Sequence, residues 1–200
     1  MSNTALDNTS LRIVVVEDDP VANQFLKSTL EECGHRVLAT AQTGTDMVKA
    51  VLAHEPDVVV FDIHLPHFNG LDALHQIYEQ CILAAVAISG DKDMELIRRA
   101  SEEHVLAYLI KPVEPQQLAA AVLVAWTRFQ ELASLTAANA SLQQTLQNRK
   151  TIERAKGVLM KRFRWSEADA FRRLQRGAMN RRRSMVELAQ DILNGAEVDL

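Results

Sequence analysis

Four apolar residues in a row, Val58-Val59-Val60-Phe61, closed by Asp62, constrain this chain more than any other stretch. An apolar run without polar alternation fits a strand buried on both faces, as in parallel sheets. The Pro66 and Asn69-Gly70 turn signals that follow end the run. It therefore delivers a carboxylate to the C-terminal edge of a parallel sheet, the edge at which open α/β sheets bind ligands. The strand itself reads as Asp57–Phe61, and further strand signals lie at Leu11–Val16, Arg36–Ala41, Ala84–Ile88 and Val105–Ile110. Helical patterns separate them. Pro20 opens the first, at a position where its missing N–H costs little. Five strands alternating with helices over residues 11–126 predict an α/β domain with a doubly wound parallel sheet.

Three other strand ends bring polar groups to the same edge: Glu17-Asp18-Asp19, Ser89-Gly90 and Lys111-Pro112. An acid pair, a lone acid, a hydroxyl and a lysine on four strand ends make a site for a cation and a phosphoryl group.

The formal net charge of −4 hides an asymmetry. Residues 1–148 hold 9 Lys and Arg against 19 Asp and Glu, whereas residues 149–184 hold 13 against 3. An acidic body with a short basic module points to a partner that carries phosphates. Cys33 and Cys81 have neither CxxC spacing nor a disulfide pattern, which fits a reducing cytoplasm. The polar start, residues 1–10, reads as a flexible N-terminus and not as a signal peptide. No apolar run approaches the roughly 20 residues that span a bilayer, so no membrane partner is expected.

Residues 115–162 run long without an internal proline, and glycine appears among them only at 157. Leu132, Leu135, Asn139, Leu142 and Leu146 fall at a, d, a, d, a of a heptad register, which makes residues 127–150 a helical coiled-coil linker. A buried Asn at an a position favours a registered parallel dimer. The alternative is a helix packed along its own domain. Residues 151–197 then read as a small three-helix domain. Ser166 and Ser184 are candidate helix caps, Ala170, Leu174 and Ala178 recur every four residues, and Gly195 lies just past the last helix. Gly157, in mid-helix, predicts a close contact with a helix or a ligand.

The segments Val14-Val15-Val16-Glu17-Asp18-Asp19-Pro20, Asp62, Ser89, Tyr108 and Lys111-Pro112, in this order and at these intervals, resemble the receiver domain of two-component response regulators. The resemblance implies a flavodoxin-like fold over residues 11–126, with Asp62 as phosphoacceptor. It also implies Mg²⁺ held by Glu17, Asp18, Asp62 and the backbone carbonyl of His64. Ser89 and Lys111 would stabilise the phosphoryl group, and Ser89 and Tyr108 would form the switch. Such a domain accepts one phosphoryl group from a sensor histidine kinase and hydrolyses it slowly, so an enzyme in the usual sense is not expected. Glu17 stands where the family more often has Asp, and Ser89 where Thr is frequent. A role for the His64 ring is a hypothesis.

Ala155-Lys156-Gly157-Val158-Leu159-Met160 and Ala178-Met179-Asn180-Arg181-Arg182-Arg183 resemble the ANTAR domain of transcription antitermination regulators. That resemblance implies binding to hairpin RNA. Candidate contacts are Lys156, Lys161, Arg172, Arg173, Arg176, Arg181, Arg182 and Arg183, with Phe163 and Trp165 as rings on which bases could stack; Trp165 could equally be core. The expected function is a phosphorylation-controlled response regulator that dimerises when phosphorylated. It would bind hairpins in nascent leader transcripts and so act indirectly on the transcribing RNA polymerase. A DNA-binding response regulator acting at initiation is the alternative, and a protein-binding adaptor is a second.

Overall fold

In a computed structural model describing residues 10–90 and 94–195, five strands form one parallel sheet. They are β1 (Arg12–Val16), β2 (Arg36–Ala41), β3 (Val58–Asp62), β4 (Ala84–Ser89) and β5 (Ala107–Ile110), in the order β2-β1-β3-β4-β5. All four pairings are parallel. The expected flexible N-terminus, apart from Ser10, and residues 196–197 of the expected C-terminal module lie outside the described residues.

The period of two along each strand sorts side chains onto two cores. Ile13, Val15, Val58, Val60, Ala84, Val86 and Ile88 face α1 (Pro20–Glu32) and the start of α5 (Pro115–Phe163). Val14, Val16, Val59, Phe61, Ala85 and Ala87 face the other way. There they meet α2 (Gly44–His54), α3 (Gly70–Tyr78) and α4 (Met94–Glu102). Both faces are covered, which is why Val58 to Asp62 are all buried.

Local signals place the helix starts. The Asp19 side chain caps α1 by accepting from the amides of Val21 and Ala22, and Asn69 caps α3 through the Leu71 amide. Gly70 lets α3 begin directly beneath β3. A Cβ there would overlap the Asp62 carbonyl oxygen and stand 2.6 Å from Phe61 Cδ2.

The chain divides into two compact units, Met1–Ala133 and Ser134–Leu200, and α5 is a single helix of 49 residues running from one into the other. In the second unit the last part of α5 packs with α6 (Glu167–Asn180) and α7 (Met185–Leu193). Ala155, Leu159, Ala170, Leu174, Ala178, Leu188, Ala189 and Ile192 form its core. Ser166 caps α6, and Ser184 with Glu187 makes a full capping box on α7. The helix contact expected at Gly157 is corrected: beyond the backbone of its own helix, nothing among the described residues lies within 4 Å of where its Cβ would stand. No helix of the described residues is long and apolar enough to cross a membrane.

Candidate functional site

Strand order turns around between β1 and β3: β2 lies outside β1 on one side, and β3 to β5 extend on the other. The crevice at such a switch point, beyond the C-terminal strand ends, is where this sheet class binds its ligands. Glu17 and Asp18 follow β1 there, and Asp62 ends β3. One carboxylate oxygen from each of the three lies within 4.8 Å of the others.

Lys111, just past β5, draws the acids together. Its Nζ lies 2.5 Å from Asp62 Oδ2 and 2.8 Å from Glu17 Oε2. Asp62 and Glu17 are almost wholly buried, whereas the lysine side chain is one-third exposed. Burial pushes the Glu17 carboxyl above its ordinary pKa; the Lys111 bond opposes this and the Asp62 charge adds to it. Burial also works against the Lys111 charge, but the bonds to Asp62 and Glu17 outweigh it and lift the lysine above its ordinary value.

The donor set fits a hard divalent cation. Three carboxylates converge, and the buried Glu17 Oε2 has the Lys111 ammonium beside it as an ion pair but accepts no hydrogen bond. Asp19, the third acid of the sequence run, is committed to capping α1, and its amide bonds hold its pKa below the ordinary carboxylate range.

Ser89 is fully buried at the end of β4, and its hydroxyl lies 3.4 Å from His64 Nδ1. The His64 ring is exposed, while its amide donates to Asp62 Oδ1 at 2.8 Å. Tyr108 on β5 is half-buried against the core that faces α2 to α4. The peptide bond between Lys111 and Pro112 is cis. Asn23 is a residue that sequence reasoning missed. Buried on α1, it donates to the carbonyls of Glu17 and Ala41 at 2.9 and 3.2 Å, tying the ends of β1 and β2. A polar residue at a core position of an amphipathic helix was its only signal.

In the second unit the basic candidates separate by surroundings. Lys161, Arg172, Arg173, Arg176, Arg181, Arg182 and Arg183 are exposed. Arg172 pairs with Asp169 at 2.9 Å and Arg183 with Asp191 at 2.5 Å. Lys156 is different: its side chain is buried, with its ammonium 2.9 Å from Glu153 and 2.7 Å from Glu167. Those bonds raise its pKa and tie the end of α5 to the first turn of α6. Trp165 is half-buried and packs on the module's core, yet its ring also stacks on Phe163. The heptad residues Leu132, Leu135, Leu142 and Leu146 are all more than half exposed, and Asn139 is exposed among them.

Residues 13–123 match the response regulator receiver domain family, and residues 140–193 match the ANTAR domain family. The chain is similar to the transcriptional regulatory protein PdtaR of Mycobacterium tuberculosis, with 34% identity over 182 residues covering 91% of this chain and 89% of that one. Among solved structures, a CheY-like receiver domain protein from Methanospirillum hungatei has a TM-score of 0.57 at 22% identity, covering 62% of this chain and 98% of that one. The structure of a LuxR-family DNA-binding response regulator from Staphylococcus aureus has a TM-score of 0.55 at 22% identity, covering 58% and 98%. At these identities the two structures speak for the fold of the first unit only.

Proposed function

The chain belongs to the response regulators, pairing a receiver domain with an ANTAR domain, and from that premise we propose a phosphorylation-controlled antiterminator that binds hairpin RNA in nascent leader transcripts. A regulator of this architecture has an RNA-binding output and not a catalytic one.

Asp62 is the proposed phosphoacceptor. One of its oxygens bonds to the phosphorus of a phosphorylated histidine on a sensor kinase as the nitrogen–phosphorus bond breaks. Glu17, Asp18, Asp62 and the His64 carbonyl would hold Mg²⁺, which when bound offsets the charge repulsion between the carboxylate and the phosphoryl oxygens. Lys111 is already beside Asp62 and would follow the new charge onto a phosphoryl oxygen. Ser89 would donate its hydroxyl to another, and Tyr108 would turn into the space released. Slow hydrolysis at the same site would reset the protein. The exposed face of α5 from Leu132 to Leu146 would pair with a second copy. Two ANTAR modules would then engage paired hairpins and exclude the terminator, affecting the transcribing polymerase only through the RNA. We place the protein in the cytoplasm with its transcripts.

The observation that carries this reading is the convergence of Glu17, Asp18, Asp62 and Lys111 in a chain that also holds a separate, strongly basic helical module. The test is to crosslink the protein to nucleic acid in its native cells and sequence what is recovered, with and without Asp62→Asn. Leader transcripts with paired hairpins ahead of terminators, lost or reduced with Asp62→Asn, are expected. Recovery of duplex DNA instead would favour a DNA-binding regulator, and recovery of no nucleic acid would leave a protein-binding adaptor.

A further inference from the structure

The turn between α5 and α6 carries a ring stack exposed on one side. Phe163 ends α5, Arg164 adopts a left-handed backbone with φ 53°, and Trp165 precedes the Ser166 cap. A non-glycine residue in that region costs about 1 kcal/mol or more. The turn brings the two rings face to face, with centroids 4.5 Å apart and planes 16° from parallel. Two cations attend them. Arg173, from α6, has its guanidinium carbon over the Trp165 ring, 4.4 Å from its centroid, and the exposed Arg162 has its own over the Phe163 ring, 5.4 Å from its centroid, where an incoming base would displace it.

The two rings differ in burial. Trp165 is anchored on the core formed with Ala170 and Leu174, whereas Phe163 is 43% exposed. An aromatic pair that served only to close the turn would gain most by burying both rings. Here the outer ring stays in water, inside the most cationic stretch of the chain, where 13 Lys and Arg face 3 Asp and Glu over residues 149–184. A flat aromatic surface flanked by guanidinium groups binds the face of an unpaired nucleobase. It is indifferent to a duplex, whose base faces are already stacked.

We infer that Phe163, backed by Trp165, is a stacking platform for an unpaired nucleobase in an RNA loop, with Arg162 at its own ring and Arg173 held on the Trp165 ring behind it. The inference rests on the RNA-binding reading above and deepens it by dividing the work. Phosphate contacts by exposed cations such as Arg176 set affinity for any RNA and its salt dependence. The platform adds preference for a loop over a paired stem. Lys156, joined to Glu153 and Glu167, is the positioning residue that fixes the α5–α6 turn from inside.

The test uses the full-length protein, with and without prior treatment by a small-molecule phosphodonor and Mg²⁺, and two probes: a fixed-stem hairpin RNA with a randomised loop, and a blunt duplex of the same stem. Phe163→Leu keeps the bulk of the side chain and removes the ring; Phe163→Tyr restores it. Trp165 fluorescence is read in a Trp126→Phe background, since these are the chain's two tryptophans. The expected result is that Phe163→Leu binds the hairpin about tenfold or more weakly, with the duplex affinity, the salt slope and the melting temperature unchanged. Phe163→Tyr recovers the hairpin affinity, and hairpin binding quenches Trp165. Undiminished hairpin affinity in Phe163→Leu, equal loss for hairpin and duplex, or no quench on hairpin binding would each overturn the platform while leaving RNA binding in place. A wild-type protein that binds neither probe overturns both readings.

Discussion

Lys111 Nζ bridges Asp62 and Glu17, at 2.5 and 2.8 Å, so one ammonium holds two buried carboxylates that would otherwise repel each other. Removing it leaves uncompensated charge in a largely dry site. A fully buried partner lost in this way costs about 3–5 kcal/mol; with the lysine one-third exposed, solvent screening brings the expectation to about 2–3 kcal/mol. Lys111→Met should therefore melt several degrees lower in the presence of a chelator. Excess Mg²⁺ should recover most of that difference, because a cation among Glu17, Asp18 and Asp62 answers the same repulsion. Calorimetry with and without Mg²⁺ reads both. A variant as stable as the wild type in chelator would mean that the ammonium is not what offsets the acid pair.

Gly70 sets the height of the strand end that carries Asp62. Its amide donates to the Ile63 carbonyl at 2.9 Å, and a methyl group in place of its hydrogen meets the Asp62 backbone and the Phe61 ring. Neither neighbour is the free end of a flexible chain. Overpacking typically costs about 1–3 kcal/mol, and here the strain falls on the backbone that carries Asp62. Gly70→Ala should lower the melting temperature and slow labelling of Asp62 by a small-molecule phosphodonor, while Gly157→Ala, where a Cβ meets nothing, should not destabilise. Equal labelling rates in wild type and Gly70→Ala would separate the close packing from the chemistry.

Much of this was legible in the chain. The strands declare themselves through unbroken apolar runs, because a sheet covered on both faces needs no polar alternation. Asp62, Glu17 and Asp18 show because each ends such a run. What the sequence hides are partnerships across long separations. Lys111 and Glu17 are 94 residues apart, and only the strand order makes them neighbours. Glu17-Asp18-Asp19 reads as three similar acids, yet Asp19 is spent on two amides of α1. Lys156 reads as one more cation of a basic module, but α6 returns Glu167 to it and Glu153 lies one turn before it. Gly157 suggests close helix packing on propensity alone, a cost of about 1 kcal/mol that the fold leaves unexplained.

A side-chain clasp joins α3 to the end of α4. His75 Nδ1 lies 2.9 Å from Glu103, and Arg99 reaches Asp72 at 3.0 Å beside it. The Glu103 bond and its charge, with smaller help from Glu79 and Asp72, raise the imidazole above its ordinary 6.5. A raised histidine stabilises the fold fully below 6.5, and that contribution is lost as pH rises through the raised value. The melting temperature of wild type should thus exceed that of His75→Gln on the acid side of the window and converge with it on the alkaline side. A gap that is constant with pH would show that the ring acts by packing and not by charge.

The exposed leucine face of α5 is the proposed contact between two copies. Leu135, Leu142 and Leu146 leave more than half of their surface in water, with Asn139 at an a position among them. Leucines at such spacing bury their faces against a second helix, and a single buried Asn lowers stability in exchange for register. Leu135→Asp with Leu142→Asp should hold the phosphorylated protein as a monomer in sedimentation equilibrium. Asn139→Leu should tighten association while relaxing its register. If two modules bind one transcript, the aspartate variant should lose far more affinity for an RNA with two hairpins than for one with a single hairpin, because only the former gains from effective concentration. Association unchanged by the two aspartates would place the dimer contact elsewhere. Equal losses on both RNAs would mean that the modules do not act as a linked pair.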